Sequence, residues 1–279
     1  MDTTLTLLID DNLTTALIAV PLANGWVETD VTVDVRAGLA ASDVTMEDVA
    51  LISVAEATLL ADSHVIISEV AVVLDGIGPI AMRTPVRPDG VEDTVVRLLD
   101  AGPTAELLIR ALLRPYFGIT ASTFALTDDD PAAARAEVIV LDNGAGLSQP
   151  EAGYQEDLAK DWFVLTGQAL VSHVVVIGLQ ALARGPDAEI ATLLQAVAVG
   201  QERRKDVRGM VAERWEVTDR DLLAEITNRE RFSLTQADRN SLATLVARGS
   251  WGGRFGKRVP VYRDALPADV HGTGETIDE

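Results

Sequence analysis

Short apolar runs alternate along the chain with segments in which apolar residues recur every three or four positions. The apolar runs, rich in valine and isoleucine, predict β-strands at Leu5–Ile9, Val31–Val35, Asp48–Ile52, Val65–Leu74, Ile77–Met82, Thr94–Leu98, Ser122–Leu126, Glu137–Leu141 and Val171–Ile177. The periodic segments predict helices at Thr14–Asn24, Val54–Leu60, Thr104–Phe117, Tyr154–Thr166, Asp187–Arg204, Thr218–Asn228 and Thr235–Arg248. Strands that alternate with helices are typical of an α/β protein with a mainly parallel sheet.

The clearest of these patterns is the segment DLAKDWFVLTGQALVSHVVVIG. Leu158, Trp162 and Leu165 have the spacing of one helix face, and Gly167 suits the residue that follows a helix end. The β-branched run Val171–Ile177 then predicts a buried strand. The segment is therefore a helix that leads directly into a core strand.

This D-L-x-x-x-W-x-x-L-T-G pattern before a valine-rich strand resembles the enzymes of the futalosine route to menaquinone, chorismate dehydratase and 1,4-dihydroxy-6-naphthoate synthase. Residues 48–82 resemble the same family more weakly. The resemblance implies an α/β, two-lobed, periplasmic-binding-protein type II-like fold with mixed sheets and a cleft between the lobes. It implies a first lobe made of residues 1–84 and 171–264 and a second lobe at 85–170. The polar segment 265–279, with its Pro and Gly, predicts a flexible acidic tail.

Composition and charge exclude several classes of function. With 43 acidic against 23 basic residues, the formal net charge of −20 disfavours nucleic acid and anionic membrane surfaces as partners. The absence of cysteine excludes thiolate metal sites and cysteine nucleophiles. No two of the three histidines have metal-ligand spacing, so we expect no metal.

The compartment and the assembly are less well specified. No apolar stretch reaches the roughly 20 residues of a membrane helix, and the N-terminus MDTTLTLLIDDN does not resemble a secretory signal. We therefore expect a cytoplasmic protein, although an exported protein without its signal would look similar. Nothing in the sequence specifies an oligomeric state.

Candidate chemistry lies in the turns that follow predicted strands, because α/β proteins bind ligands beyond the carboxyl ends of their strands. The turn at Gly102, Pro103, Thr104 and Ala105 is the best anion site on sequence grounds, since it joins a glycine and a hydroxyl to the unpaired N–H groups of a helix start. We expect it to hold a small anionic carboxylate. A plain helix cap is the alternative.

Two further turns can contribute to the same cleft. Ser53 follows the strand-like DVALI and resembles a small hydroxyl residue that faces the cleft in the family, although it is equally suited to cap a helix. Asn143 and Gly144, in D-N-G-A-G-L, can offer an amide and backbone N–H groups, or simply make a turn.

The first turn departs from the family. Chorismate dehydratases carry Tyr-Leu-Asn-Thr there, whereas this chain has Asp11, Asn12, Leu13 and Thr14. The Ser-Pro-Cys-Pro-Asn-Asp segment of naphthoate synthases is also missing. Asn12 is thus a hypothesis for a catalytic residue, with a helix cap as the alternative.

The remaining polar features have plainer interpretations. His173 lies in an apolar strand, which favours a core or hinge residue with internal hydrogen bonds. The acidic triplet at 128–130 indicates a solvated loop. The basic segment WGGRFGKR, Trp251–Arg258, either packs on the protein or lies over the cleft and attracts an anion.

These observations lead to one expected function and two alternatives. The resemblance implies a chorismate dehydratase-like lyase that eliminates water from chorismate to give 3-[(1-carboxyvinyl)oxy]benzoate without a cofactor. Such an elimination needs a base near a ring proton, donors at the leaving hydroxyl and partners for two carboxylates. The alternatives are a non-catalytic solute-binding protein or sensor of the same fold, and 1,4-dihydroxy-6-naphthoate synthase.

Overall fold

The computed structural model describes residues 5–125, 130–148, 150 and 152–265. Its strands are β1 Thr6–Asp10, β2 Thr32–Arg36, β3 Asp48–Ser53, β4 His64–Leu74, β5 Ala81–Thr84, β6 Thr94–Leu99, β7 Ala121–Ala125, β8 Ala136–Leu141, β9 Tyr154–Asp157, β10 Leu170–Gly178 and β11 Val261–Tyr262. Its α-helices are α1 Ala16–Ala23, α2 Val54–Ala57, α3 Pro103–Leu112, α4 Asn143–Leu147, α5 Leu158–Thr166, α6 Leu179–Arg184, α7 Asp187–Glu202, α8 Arg204–Arg214, α9 Arg220–Arg229 and α10 Gln236–Gly249. Short 3-10 turns include Leu13–Thr15 and Thr58–Leu60, and a π-helical turn, Leu113–Phe117, extends α3.

The strands form two mixed sheets. The first has the order β11-β4-β10-β3-β1-β2, with β10 antiparallel to both of its neighbours and the other pairs parallel. The second has the order β7-β6-β8-β5-β9, with β5 antiparallel to its neighbours. The α/β class with two mixed sheets is confirmed. The expectation of one mainly parallel sheet is wrong, because hydrophobic periodicity does not record strand direction.

The two sheets draw on different parts of the chain. The first takes strands from residues 6–74 and 170–262, and the second takes strands from residues 81–157. β5 therefore belongs to the second sheet, although the predicted boundary assigns it to the first lobe. The lobe bounds stay a prediction, and the predicted tail lies beyond the described residues apart from Ala265.

The predicted helix that leads into a core strand is present as α5 and β10, but the helix begins later than predicted. Tyr154–Thr166 is predicted as one helix, whereas the structure makes its first four residues β9. The helix begins at Leu158 because the Asp157 carboxylate accepts hydrogen bonds from Ala159 N and Lys160 N at 2.9 and 3.2 Å. It ends at Gly167, which has a φ of +69°.

β10 is the most deeply buried strand of the first sheet. It lies between β3 and β4, which pair with both of its edges, and all of its residues are buried, so both of its faces are covered. His173 is its one ionisable residue. No helix among the described residues is both long and apolar enough to cross a membrane.

Candidate functional site

The strand-end turns that the sequence predicts as candidates meet around Ser172 and His173 of β10. Ser53 pairs with His173 across the β3–β10 ladder. The Thr104 hydroxyl, at the start of α3, donates to the carbonyl oxygen of Ser172 at 3.1 Å. Because these elements come from both sheets, the candidate site lies where the sheets adjoin.

The centre of the site is a buried histidine–carboxylate pair. His173 Nε2 lies 3.2 Å from Asp10 Oδ2, and the two residues are only 3% and 6% exposed. The other carboxylate oxygen accepts a hydrogen bond from Leu39 N at 3.1 Å. Since an ionised carboxylate has no proton to donate, Nε2 is the donor, and the imidazole is held in one orientation.

The second ring nitrogen of His173 faces two hydroxyl groups. Nδ1 lies 3.2 Å from Ser172 Oγ and 3.3 Å from Thr14 Oγ1. The Thr14 hydroxyl in turn donates to Asn12 Oδ1 at 3.0 Å. A continuous set of polar contacts therefore runs from Asp10 through His173 and Thr14 to Asn12.

Asn12 has the capping role that the sequence offers as the alternative to catalysis. Its Oδ1 accepts from Thr14 N at 3.0 Å, and its backbone N–H donates to Thr15 Oγ1 at 2.9 Å. These two contacts form a capping box at the N-terminal end of the 3-10 turn Leu13–Thr15. The side chain also bonds to the Asp142 carboxylate, so it lies inside the polar set as well as at a helix start.

Asp142 is a site residue that the sequence reasoning missed. It is only 4% exposed, and it accepts hydrogen bonds from Asn143 N at 2.7 Å and from Gly102 N. Burial raises the pKa of Asp142 above its ordinary value, against the lowering effects of the Asn143 N–H, the nearby His173, the Gly102 N–H and Asn12. Its signal in the sequence was an aspartate directly after the apolar strand that became β8.

The turn predicted to hold a ligand carboxylate makes its hydrogen bonds within the protein. The Gly102 amide binds Asp142, and Ala105 N donates to Gly102 O at 3.0 Å. Thr104 and Ala105 are buried, with exposures of 5% and 0%. A protein carboxylate thus occupies the position proposed for a ligand anion.

The turn at Asn143 and Gly144 is held against both the turn after β1 and the end of α8. Asn143 has a φ of +52° and accepts a hydrogen bond from Leu13 N through Oδ1. A Cβ added to Gly144 would lie 1.8 Å from the Trp215 carbonyl oxygen, so only glycine permits this approach. The chain after α8 therefore closes over the second sheet.

A cavity of about 540 Å³ lies beneath this closure. Its walls include Asp142, Asn143, Ala145, Arg214 and Trp215. Arg214 forms an ion pair with Asp11 Oδ2, and its guanidinium carbon lies 4.5 Å from the centre of the Trp215 ring. Asp100 and Glu216 line it as well, so the cavity has one cation and three carboxyl groups, of which that of Asp142 has the raised pKa.

The remaining sequence candidates lie elsewhere or outside the described residues. His64 contacts Ser63 Oγ and the Thr45 carbonyl oxygen, and burial lowers its pKa. The basic segment packs on the protein, with Phe255 buried. Residues 128, 129 and 271 are not among those described. Within the described part of the chain, no group of His, Asp or Glu side chains is arranged to hold a metal ion.

The comparisons with known proteins agree with this architecture. Residues 22–250 match the family model described as menaquinone biosynthesis. The chain belongs to the menaquinone biosynthesis family. This confirms the resemblance predicted from the D-L-x-x-x-W-x-x-L-T-G segment at the level of the family. No curated protein sequence matches the chain.

Solved structures similar to this family member share its fold at low sequence identity. A structural-genomics protein from Archaeoglobus fulgidus is 14% identical, with a TM-score of 0.63 over 88% of this chain and 96% of its own. The periplasmic aliphatic sulphonate binding protein of Escherichia coli is 12% identical, with a TM-score of 0.62 over 96% and 92%. The ligand-binding component of an ABC-type import system from Staphylococcus aureus, solved with zinc bound, is 12% identical, with a TM-score of 0.58 over 96% and 97%. The periplasmic-binding-protein-like fold is thereby confirmed.

Proposed function

We propose that the protein is a chorismate dehydratase-like lyase that binds a small carboxylate between its lobes and eliminates water without a cofactor. The observation that carries this proposal is the buried pair of His173 and Asp10 beneath the first turn. A histidine oriented by a buried carboxylate is a recurrent arrangement for a general base. A cytoplasmic location remains part of the proposal.

The elimination needs one proton removed and one hydroxyl released. In the proposed reaction His173 Nδ1 takes a ring C–H proton, the electron pair forms the new double bond of the aromatic ring, and the ring C–OH bond breaks. Asp10 then stabilises the imidazolium that forms. The mechanism requires that an opening of the cleft, which breaks the Leu13–Asn143 hydrogen bond, brings the Nδ1 side of His173 into contact with the substrate.

Asp142 is suited to the leaving-group side of the reaction. Its raised pKa favours the protonated acid, and the residue lines the 540 Å³ cavity. A carboxylic acid can donate its proton to the departing hydroxyl, which leaves as water. Arg214 lines the same cavity and, once released from its ion pair with Asp11, is the proposed partner for a substrate carboxylate.

A solute-binding protein is the second candidate, and one observation favours it. Both ring nitrogens of His173 already have polar partners within the protein, as in a histidine that only holds a core together. Similar structures include a sulphonate binding protein, although at 12% identity that likeness shows the fold alone. A binder would be stabilised by a carboxylate ligand but would not convert it.

The test is an assay of the purified full chain with chorismate, following the aromatic product by absorbance and chromatography. We expect turnover, with a loss of at least a hundredfold in kcat for His173→Gln and Asp10→Asn, which remove the base and its partner. His64→Gln is the matched control, because it changes a buried histidine at the opposite end of the β4–β10 ladder. Thermal stabilisation by chorismate without product would support the binder and would sink the lyase proposal.

A further inference from the structure

A second cavity, of about 490 Å³, lies at the far end of α3 from the candidate site. Three arginines line it, Arg110, Arg114 and Arg248, and no carboxylate does. All the charged residues of this lining are therefore cations, although the whole chain has a net charge of −20. A pocket of this size suits a small molecule rather than a macromolecule.

Two of the three arginines have no partner of their own. Arg110 is buried and donates to Glu106 Oε1 from Nε and Nη2 at 2.9 and 2.7 Å. Arg114 and Arg248 are exposed, and neither forms an ion pair or a side-chain hydrogen bond with any residue in the described part of the chain. Their charges are therefore available to a ligand.

The third component is an aromatic wall. The Trp251 ring is 47% exposed and lies 4.9 Å from the Arg110 guanidinium carbon. Its indole N–H donates to the Arg110 carbonyl oxygen at 3.0 Å, so the ring is fixed and its polar atom is satisfied. Pro115 and Ala121 add accessible apolar surface to the same cavity. A flat apolar group can pack here without leaving a polar atom unpaired.

The cavity is separate from the candidate site. Helix α3 begins beside Asp142 and Ser172, and Arg114 follows its C-terminal end. At 1.5 Å per residue, the ten steps from Thr104 to Arg114 span about 15 Å. The cavity also lies between the end of α3 and the end of α10 with Trp251, two parts of the chain that are far apart in sequence.

We propose that this cavity is a binding site for a small organic anion with a flat apolar or aromatic body, its negative group between Arg114 and Arg248 and its ring against Trp251. Arginine favours carboxylate, sulfonate and phosphate groups because its planar fork donates two parallel hydrogen bonds. The site needs no reaction at the His173 pair and is independent of the proposed lyase activity.

The test is isothermal titration of the full-length protein with naphthalene-2-sulfonate and with its neutral match, naphthalene-2-sulfonamide. We expect the sulfonate to bind at one site, at least tenfold more tightly than the sulfonamide. The double variant Arg114→Gln/Arg248→Gln should weaken sulfonate binding at least tenfold. Neither side chain has a protein partner to lose, so the melting temperature should stay that of the wild type.

Control variants show whether the sulfonate binds in this cavity. The double variant Arg135→Gln/Arg220→Gln removes the same charge at two other exposed arginines and should keep wild-type affinity. His173→Gln should also bind the sulfonate normally. Equal affinity for the two naphthalenes, wild-type binding by Arg114→Gln/Arg248→Gln, loss of binding in His173→Gln, or no binding by the wild type at 1 mM ligand would each overturn the proposal.

Discussion

The backbone N–H of Leu13 donates to the Asn143 side chain at 2.9 Å, and this bond joins the end of β1 in the first sheet to the end of β8 in the second. The two residues are 130 positions apart in sequence. Leu13 immediately precedes Thr14, whose hydroxyl lies 3.3 Å from His173 Nδ1. In the proposed mechanism this bond is therefore a polar contact that breaks when the cleft opens.

Removing this contact should favour an open form. Asn143→Gly deletes the acceptor while glycine tolerates the φ of +52°. We expect a larger radius of gyration in small-angle X-ray scattering and faster ligand association in stopped flow. Asn24→Gly is the control, since it also deletes one side-chain bond to a backbone group, Asn24 Nδ2 to Val20 O, away from the cleft. Equal scattering curves for the two variants would mean that Asn143 does not hold the lobes together.

Gly144 should be intolerant of a single added methyl group. The Cβ of Gly144→Ala would meet the Trp215 carbonyl oxygen, a backbone atom that cannot rotate away. We expect a loss of about 1–3 kcal/mol in the free energy of unfolding. The displaced segment carries Arg214, so affinity for anions in the adjacent cavity should also fall.

Gly209→Ala is the matched comparison for that substitution. Gly209 lies inside α8 with no atom within 4 Å of the added Cβ, and alanine favours a helix by roughly 0.5–1 kcal/mol. Urea unfolding of the two variants should therefore give shifts of opposite sign. A Gly144→Ala protein as stable as the wild type would show that the segment after α8 moves freely.

Glu230 should make the protein less stable as the pH rises. Burial raises the pKa of Glu230 from 4.5 to about 8, against the lowering influence of Arg204 and Arg208, and neither carboxyl oxygen has a hydrogen-bond partner among the described residues. Between pH 4.5 and 8 the unfolded chain loses this proton while the folded chain keeps it. The free energy of unfolding should therefore fall across that window, by about 1.4 kcal/mol per pH unit at most.

The substitution Glu230→Gln should remove this contribution. We expect the variant to be more stable than the wild type at pH 8 and to show a flatter pH dependence in urea unfolding from pH 5 to 8. Glu202→Gln, an exposed glutamate at the end of α7, should run parallel to the wild type. Parallel curves for Glu230→Gln and the wild type would contradict the assignment.

The sequence identifies which turns carry the candidate site but not how they contact one another. Asn12, Ser53, Thr104 and Asn143 stand out because each lies at the end of an apolar strand, but two of these strands belong to each sheet, and the sequence does not show how the sheets adjoin. The contact between His173 and Asp10 is different. It depends on β10 running antiparallel beside β3, and no local pattern in an apolar strand shows its direction.

The contact between Gly144 and the segment that follows α8 could not be predicted from the sequence, for a related reason. α8 is rich in charged residues, three of them arginines, and it buries only Val207, Val211 and Ala212, so its amphipathic signal is weak. Nothing in the sequence around Trp215 indicates that its carbonyl oxygen lies against Gly144. Long-range backbone approaches of this kind become visible only when the tertiary structure is known.

The tryptophan of the family-like segment should prove structural rather than catalytic. Trp162 is fully buried, and its indole N–H donates to Ser241 Oγ at 3.0 Å, while that hydroxyl donates to the Ala169 carbonyl oxygen at 2.6 Å. Ser241→Ala leaves the indole N–H unpaired and should cost about 1–3 kcal/mol. Trp162→Phe removes the donor and part of the buried ring, and it should cost a similar amount.

Because both changes break the same bond, the double variant should cost about 1 kcal/mol less than the sum of the single variants in urea unfolding. Additive losses would show that the bond contributes nothing, and a loss of turnover in the folded Trp162→Phe protein would instead place the residue in the chemistry.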